Sequence, residues 1–261
     1  MAIKDVLRVT LAQVDLTWEN PEQNRFDLGV QIRHLAGKSD LVILPETFTS
    51  GFSEQACDFA EPMNGPTIDW LLNLSKSTRL AIAGSLVISD NGLYYNRFVF
   101  VTPQGETSFY DKRHIFSIGG ESNGLSSGAK RLIVNYLGWN IALYVCYDIR
   151  FPVWCRNRND TDLMIVTANW PASRSEVWNT LLKARAIENQ VYVAGVNRIG
   201  TDESGIVYSG DSQIVNPKGE VLQQTEVTPG GLYCFEISKQ SLTEFREKFP
   251  VANDADSFAL V

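Results

Sequence analysis

Histidine is almost missing from this chain of 261 residues, which has only His34 and His114. That scarcity excludes the metal patterns built on paired histidines, such as HExxH and the mixed Cys/His zinc sets. It also narrows nucleophilic chemistry, because a protease-like Ser/His or Cys/His arrangement would have to recruit one of the two as base. His34 falls mid-helix in Ile32-Arg33-His34-Leu35 and reads as a surface or half-buried position. Cysteine is sparse too. Cys57, Cys146, Cys155 and Cys234 stand far apart without a C-x-x-C, which speaks for reduced thiols rather than a disulfide framework. No run approaches the ~18 consecutive apolar residues of a membrane span, and Met1-Ala2-Ile3-Lys4-Asp5 leads into no apolar secretion core. Acidic residues outnumber basic ones, 30 to 23, and the net charge of −7 without a basic cluster argues against a nucleic-acid partner. The expectation is a soluble, cytoplasmic protein with no nucleic-acid or membrane partner, no metal and no cofactor.

What remains is an ordinary apolar fraction of 44% on a chain long enough to bury about 70–75% of its unfolded surface. Short β-branched runs alternate with helical patterns. Strands are expected over residues 6–14, 41–44, 80–88, 94–101, 132–136, 140–145, 163–168, 192–196, 207–215 and 232–237. Residues 21–35 and 66–78 read as helices. A third helix is expected through about Asn189, opened by a capping box at Ser173-Arg174-Ser175-Glu176. Asp90-Asn91-Gly92 marks a hairpin. Two turns, Thr102-Pro103-Gln104-Gly105-Glu106 and Asn216-Pro217-Lys218-Gly219-Glu220, share their chemistry and hint at structurally analogous halves. Strands outnumber helices and no linker interrupts the chain. An α/β fold follows, with two mixed sheets packed face to face and helices outside, in one domain over 1–261.

Three strand ends carry chemistry. In Tyr144-Val145-Cys146-Tyr147-Asp148-Ile149-Arg150-Phe151-Pro152 an apolar strand stops at a cysteine, and a short helix is expected after it. Unpaired N–H groups there would stabilise a thiolate, while a plain buried cysteine is the competing reading of the segment. Leu44-Pro45-Glu46 sets a carboxylate after an apolar strand, and Tyr110-Asp111-Lys112-Arg113-His114 sets a lysine after another. Singly these are a cap and a charged edge. Together they supply the nucleophile, base and cation that amide hydrolysis without histidine or metal requires.

These segments resemble the nitrilase superfamily of carbon–nitrogen hydrolases along essentially the whole chain. Pro45-Glu46, Asp111-Lys112-Arg113-His114-Ile115-Phe116 and Val145-Cys146-Tyr147-Asp148-Ile149-Arg150-Phe151-Pro152 carry the likeness, in the family's order. Asn169-Trp170-Pro171 and the run 184–192 add to it. The resemblance implies a four-layer α-β-β-α sandwich that forms a homodimer. It implies Glu46 as base, Lys112 as cation, Cys146 as nucleophile and Glu121 as a second carboxylate supporting the lysine. The backbone N–H of Tyr147 would share the oxyanion with Lys112. The lysine motif and the ending Lys248-Phe249-Pro250-Val251-Ala252-Asn253-Asp254-Ala255-Asp256 are most similar to omega-amidases, which deamidate α-ketoglutaramate and α-ketosuccinamate. A small amide carrying a carboxylate needs a further cation, for which Arg150 and Arg113 are candidates, with Phe116 and Trp170 as walls. The tail over 249–261, with Phe249, Val251, Phe258, Leu260 and Val261, is expected at the dimer interface. Competing readings are another amidase, nitrilase or carbamoylase of this family, a silent binding protein on the same fold, and a metal phosphoesterase on a similar sandwich.

Overall fold

The computed structural model describes residues 3–121, 124–224 and 230–259. Its first sheet holds β1 (Val6–Gln13), β2 (Leu41–Ile43), β3 (Ala81–Asp90), β4 (Leu93–Val101) and β5 (Thr107–Asp111). Its second holds β6 (Ile133–Tyr136), β7 (Trp139–Val145), β8 (Leu163–Ala168) and β9 (Tyr192–Asn197). A small hairpin of β10 (Ile199–Thr201) and β11 (Val207–Ser209) follows. The chain then adds β12 (Gln213–Val215) and β13 (Val221–Gln224) to the second sheet and returns β14 (Gly231–Ser238) to the first.

Strand alternation explains why the sheets must be covered on both faces. Leu41, Ile43, Ala81, Ala83, Phe98 and Phe100 join the core between the sheets, whereas Val42, Leu44, Ile82, Val99 and Val101 join a second core. That second core is closed by α1 (Pro21–Arg33) and α2 (Pro66–Thr78) through Leu28, Ile32, Ile68, Leu71 and Leu74. The Asn20 side chain caps α1 by accepting from Gln23 N–H, and proline opens both helices where a missing N–H costs nothing. On the other side α3 (Ser175–Asn189) lays Trp178, Leu182 and Ala186 against the second sheet. A last helix, α4 (Lys239–Lys248), leads into the tail. The layers run α-β-β-α, as the sequence implied.

The sheets share one topology, in the orders β14-β1-β2-β3-β4-β5 and β6-β7-β8-β9-β12-β13. Three parallel strands lie at the centre of each, flanked by antiparallel ones. The two Pro-containing turns occupy equivalent places, linking β4 to β5 and β12 to β13. In both, the first residue's N–H bonds the fifth residue's carbonyl at 2.9 Å, and Gly105 and Gly219 take φ of 86° and 85°. The chemical likeness of the turns therefore reflects analogous halves.

Two departures from the sequence reading bear on the site and its surroundings. Residues 207–215 are not one strand, because Gly210 and Asp211 take positive φ and divide it into β11 and β12. The capping box at Ser173 is absent as well: Ala172–Arg174 form a 3-10 turn, and α3 begins at Ser175 without a side-chain cap. In the tail, Phe249 and Phe258 are exposed, while Leu260 and Val261 lie outside the described residues.

Candidate active site

Glu46, Lys112 and Cys146 are set by the ends of three strands at one edge of the sandwich. Leu44 and Pro45 carry the chain off β2, and Glu46 turns inward to complete burial. Its Oε1 accepts from Lys112 Nζ at 2.8 Å and from Asn96 Nδ2 at 2.9 Å, and its Oε2 accepts from the backbone N–H of Asn169 at 2.8 Å. Lys112 follows β5, and its backbone N–H is fixed to Asn96 O at 3.0 Å. The ammonium also contacts both oxygens of Glu121 at 2.8 Å. Glu121 is held in turn by Phe116 N–H at 2.7 Å and Asn96 Nδ2 at 3.2 Å. One N–H of the ammonium can serve both oxygens of a single carboxylate, which leaves another for the cavity.

Asn96 and Asn169 were not assigned roles from sequence. Asn96 left a readable signal as a polar side chain inside the apolar strand β4, fully buried and bridging both carboxylates. Asn169 also donates to Glu46 O and Thr47 Oγ1, each at 2.9 Å, and so fixes the loop that carries the carboxylate.

Cys146 ends β7 and takes φ of 42°, a left-handed conformation unusual for a residue with a Cβ. A 3-10 turn, Cys146–Arg150, follows. Buried Arg185 on α3 secures its far end through two bonds to Ile149 O, at 2.9 and 2.6 Å. The N–H of Tyr147 belongs to the first turn, where backbone donors have no partner within the helix. Of the two readings of this cysteine, the setting does not favour the stabilised thiolate. Burial first and the Glu46 carboxylate second push the thiol's pKa well above its ordinary value, and Lys112 offsets only part of this. That direction favours the neutral thiol, whose attack on a carbonyl would call for a base. Burial also works against the Lys112 ammonium, but Glu121 and Glu46 more than compensate and hold its pKa well above the ordinary lysine value.

A cavity of about 180 Å³ opens over Cys146 and Lys112, smaller than the ~300–1,000 Å³ of sites for drug-sized ligands. Phe116 and Trp170 line it, and Arg150 stands at the rim with its guanidinium 5.0 Å from the Trp170 ring centroid. Arg113 is not brought there. Its guanidinium donates to Gly128 O at 3.1 Å and lies over Trp154, so Arg113 is withdrawn as a cavity cation. Arg174, not anticipated, takes that place, 5.6 Å from the Phe116 ring centroid. Among the described residues neither Arg150 nor Arg174 forms an ion pair. Two further carboxylates reach the wall. Asp202 is consumed by Ser204 N–H, Ile206 N–H and Tyr208 Oη, while Glu54 is exposed. Among the described residues no group of three His, Cys, Asp or Glu side chains is placed to hold a metal ion, and no helix is long and apolar enough to cross a membrane.

A sandwich of this topology, with a thiol, a lysine and two carboxylates gathered at one edge, is the architecture of the nitrilase superfamily. The chain belongs to its carbon-nitrogen hydrolase family, whose pattern it matches over residues 8–247, and it is a hydrolase of carbon–nitrogen bonds. It is most like omega-amidases. The omega-amidase YafV of Escherichia coli K12 is 42% identical, over 97% of this chain and 98% of that one. The 2-oxoglutaramate amidase of Bacillus subtilis is 31% identical, over 94% and 96%. A crystal structure of a CN-hydrolase superfamily protein from Xanthomonas campestris, with an arsenic adduct in its active site, superposes with a TM-score of 0.96 at 43% identity. That match covers 99% of this chain and all of the other.

Proposed function

We propose that the protein hydrolyses the ω-amide of small keto-dicarboxylate monoamides, α-ketoglutaramate and α-ketosuccinamate, to the acid and ammonia through a thioester on Cys146. The observation that carries this reading is the cavity itself, in which a thiol, a buried ammonium paired with Glu46 and Glu121, and two guanidiniums without an ion-pair partner among the described residues face one small volume. The names of the two amidase relatives support it.

The proposed steps are these. Glu46 takes the thiol proton as sulfur bonds to the amide carbon, and the carbonyl electrons move onto oxygen. Lys112 and the Tyr147 N–H stabilise that oxyanion, each such donor being worth about 3–4 kcal/mol. As the oxyanion collapses, the C–N bond breaks and Glu46 passes its proton to the departing nitrogen, giving ammonia. A water then attacks the thioester while Glu46 removes its proton. The C–S bond breaks, and the proton returns to sulfur. Arg150 and Arg174 hold the substrate's carboxylate at the rim.

The test is ammonia release from α-ketoglutaramate, glutamine, and simple amides and nitriles. Glutamine carries an ammonium for which the cavity offers only exposed Glu54, so kcat/KM should favour the keto acid by about 10²–10⁴. Equal values, or preference for an amide without a carboxylate, would overturn the substrate assignment.

We also propose a single-domain, cytoplasmic homodimer. Exposed Ile187 on α3, Phe249 and Phe258 support an interface formed by α3 and the tail. Light scattering at micromolar concentration should give twice the chain mass, and a monomer unchanged by deleting the tail would remove the claim.

A further inference from the structure

Asp148 is fully buried two residues beyond the thiol, and its side-chain partners come from the two segments that carry Cys146 and Lys112. Its Oδ2 accepts from the N–H of Val145 at 3.1 Å and from Tyr110 Oη at 2.7 Å. Its Oδ1 accepts from the N–H of His114 at 3.0 Å and from His114 Nδ1 at 2.8 Å. Val145 directly precedes the thiol, and Tyr110 and His114 stand two residues to either side of Lys112. Trp154 Nε1 steadies Tyr110 Oη at 2.9 Å, and the His114 ring stacks on Phe151 with centroids 3.7 Å apart.

The hydrolysis steps above make no use of this carboxylate, and Asp148 does not line the cavity. A buried charge is costly to keep unless its hydrogen bonds are satisfied, and here four donors converge on it. The thiol's own backbone is strained. A left-handed φ of 42° at cysteine persists only where its surroundings over-determine it. We propose that Asp148 is a positioning residue: by tying the end of β5 to the nucleophile turn, it sets the separation between the Cys146 thiol and the Lys112 ammonium. This rests on the reading of Cys146 as nucleophile and Lys112 as oxyanion donor.

The experiment compares kcat, KM and thermal melting for wild type, Asp148→Asn, His114→Ala, His114→Asn and Cys146→Ala, with α-ketoglutaramate as substrate. Asparagine at 148 offers one acceptor oxygen where two are used, so its NH₂ confronts a pair of donors. A displacement of about 1 Å between reacting groups costs about 10²-fold, and kcat of Asp148→Asn should fall by that order with KM near wild type. His114→Ala should lose kcat in the same direction. His114→Asn should regain it, because the asparagine Nδ2–H can reach the place of the imidazole Nδ1–H. Where Asp148→Asn fails to fold, the His114 pair carries the test. Wild-type kcat in folded Asp148→Asn, or His114→Asn no better than His114→Ala, would overturn the proposal while inactive Cys146→Ala left the nucleophile reading intact. Turnover in Cys146→Ala would instead overturn both.

Discussion

Replacing Lys112 by methionine removes the charge around which this site is organised, at nearly constant volume. The ammonium is 1% exposed, and its three contacts of 2.8 Å all go to carboxylate oxygens. Without it, Glu46 keeps Asn96 Nδ2 and the Asn169 N–H, and Glu121 keeps Asn96 Nδ2 and the Phe116 N–H, but neither carboxylate keeps its cation. Breaking a buried ion pair from one side costs about 3–5 kcal/mol, against the roughly 5–15 kcal/mol that holds a domain together. Urea unfolding followed by tryptophan fluorescence should show that loss at pH 7. Adding Glu46→Gln and Glu121→Gln should recover most of the stability, because no buried charge remains, while ammonia release stays absent. Lys112→Arg keeps the charge, but its planar fork cannot place a donor where the compact ammonium sits. Its kcat should fall by about 10²–10³. Lys112→Met as stable as wild type at pH 7, or Lys112→Arg with normal kcat, would refute this electrostatic account.

Because the Cys146 thiol stands well above its ordinary pKa, the 240 nm absorbance difference between wild type and Cys146→Ala should show no thiolate up to pH 9. A thiolate at pH 7 would mean that no base is needed. Arg150→Met and Arg174→Met should each raise KM for α-ketoglutaramate by about 10-fold, the lower end for a hydrogen bond to a charged group at an exposed rim. Unchanged KM in both would remove the carboxylate subsite. Burial, and then Asp40, push the Tyr136 phenol up to about 12. Between its ordinary value of 10.0 and that point, the unfolded chain gives up a proton that the folded protein keeps. This contribution to stability is intact below pH 10 and declines from pH 10 to 12. Tyr136→Phe should flatten that alkaline limb in urea unfolding, and an unaltered slope would contradict the assignment.

The two cores were readable because wholly apolar strands such as 41–44 leave both sheet faces to be covered. Glu46, Lys112 and Cys146 were readable because charged or reactive groups directly follow such strands. Arg174 was hidden by its context. Pro171 and the serines suggested a capped helix start, whereas the 3-10 turn of Ala172–Arg174 carries the arginine to the cavity rim. Arg113 misled because its neighbour Lys112 points inward, and adjacent residues after a strand face opposite ways. The break at Gly210 and Asp211 was masked by β-branched neighbours on either side. The upward push on the Cys146 thiol was not legible in its own segment, since the proximity of Glu46, 100 residues earlier in the chain, arises only on folding.

The central claim is acyl transfer through Cys146, and acid quenching during the first turnover with α-ketoglutaramate, followed by peptide mass spectrometry, tests it most directly. The account predicts a thioester on the peptide that carries Cys146, and none in Cys146→Ala, which should release no ammonia. An adduct on Cys57, Cys155 or Cys234, or steady ammonia release by Cys146→Ala, would contradict it.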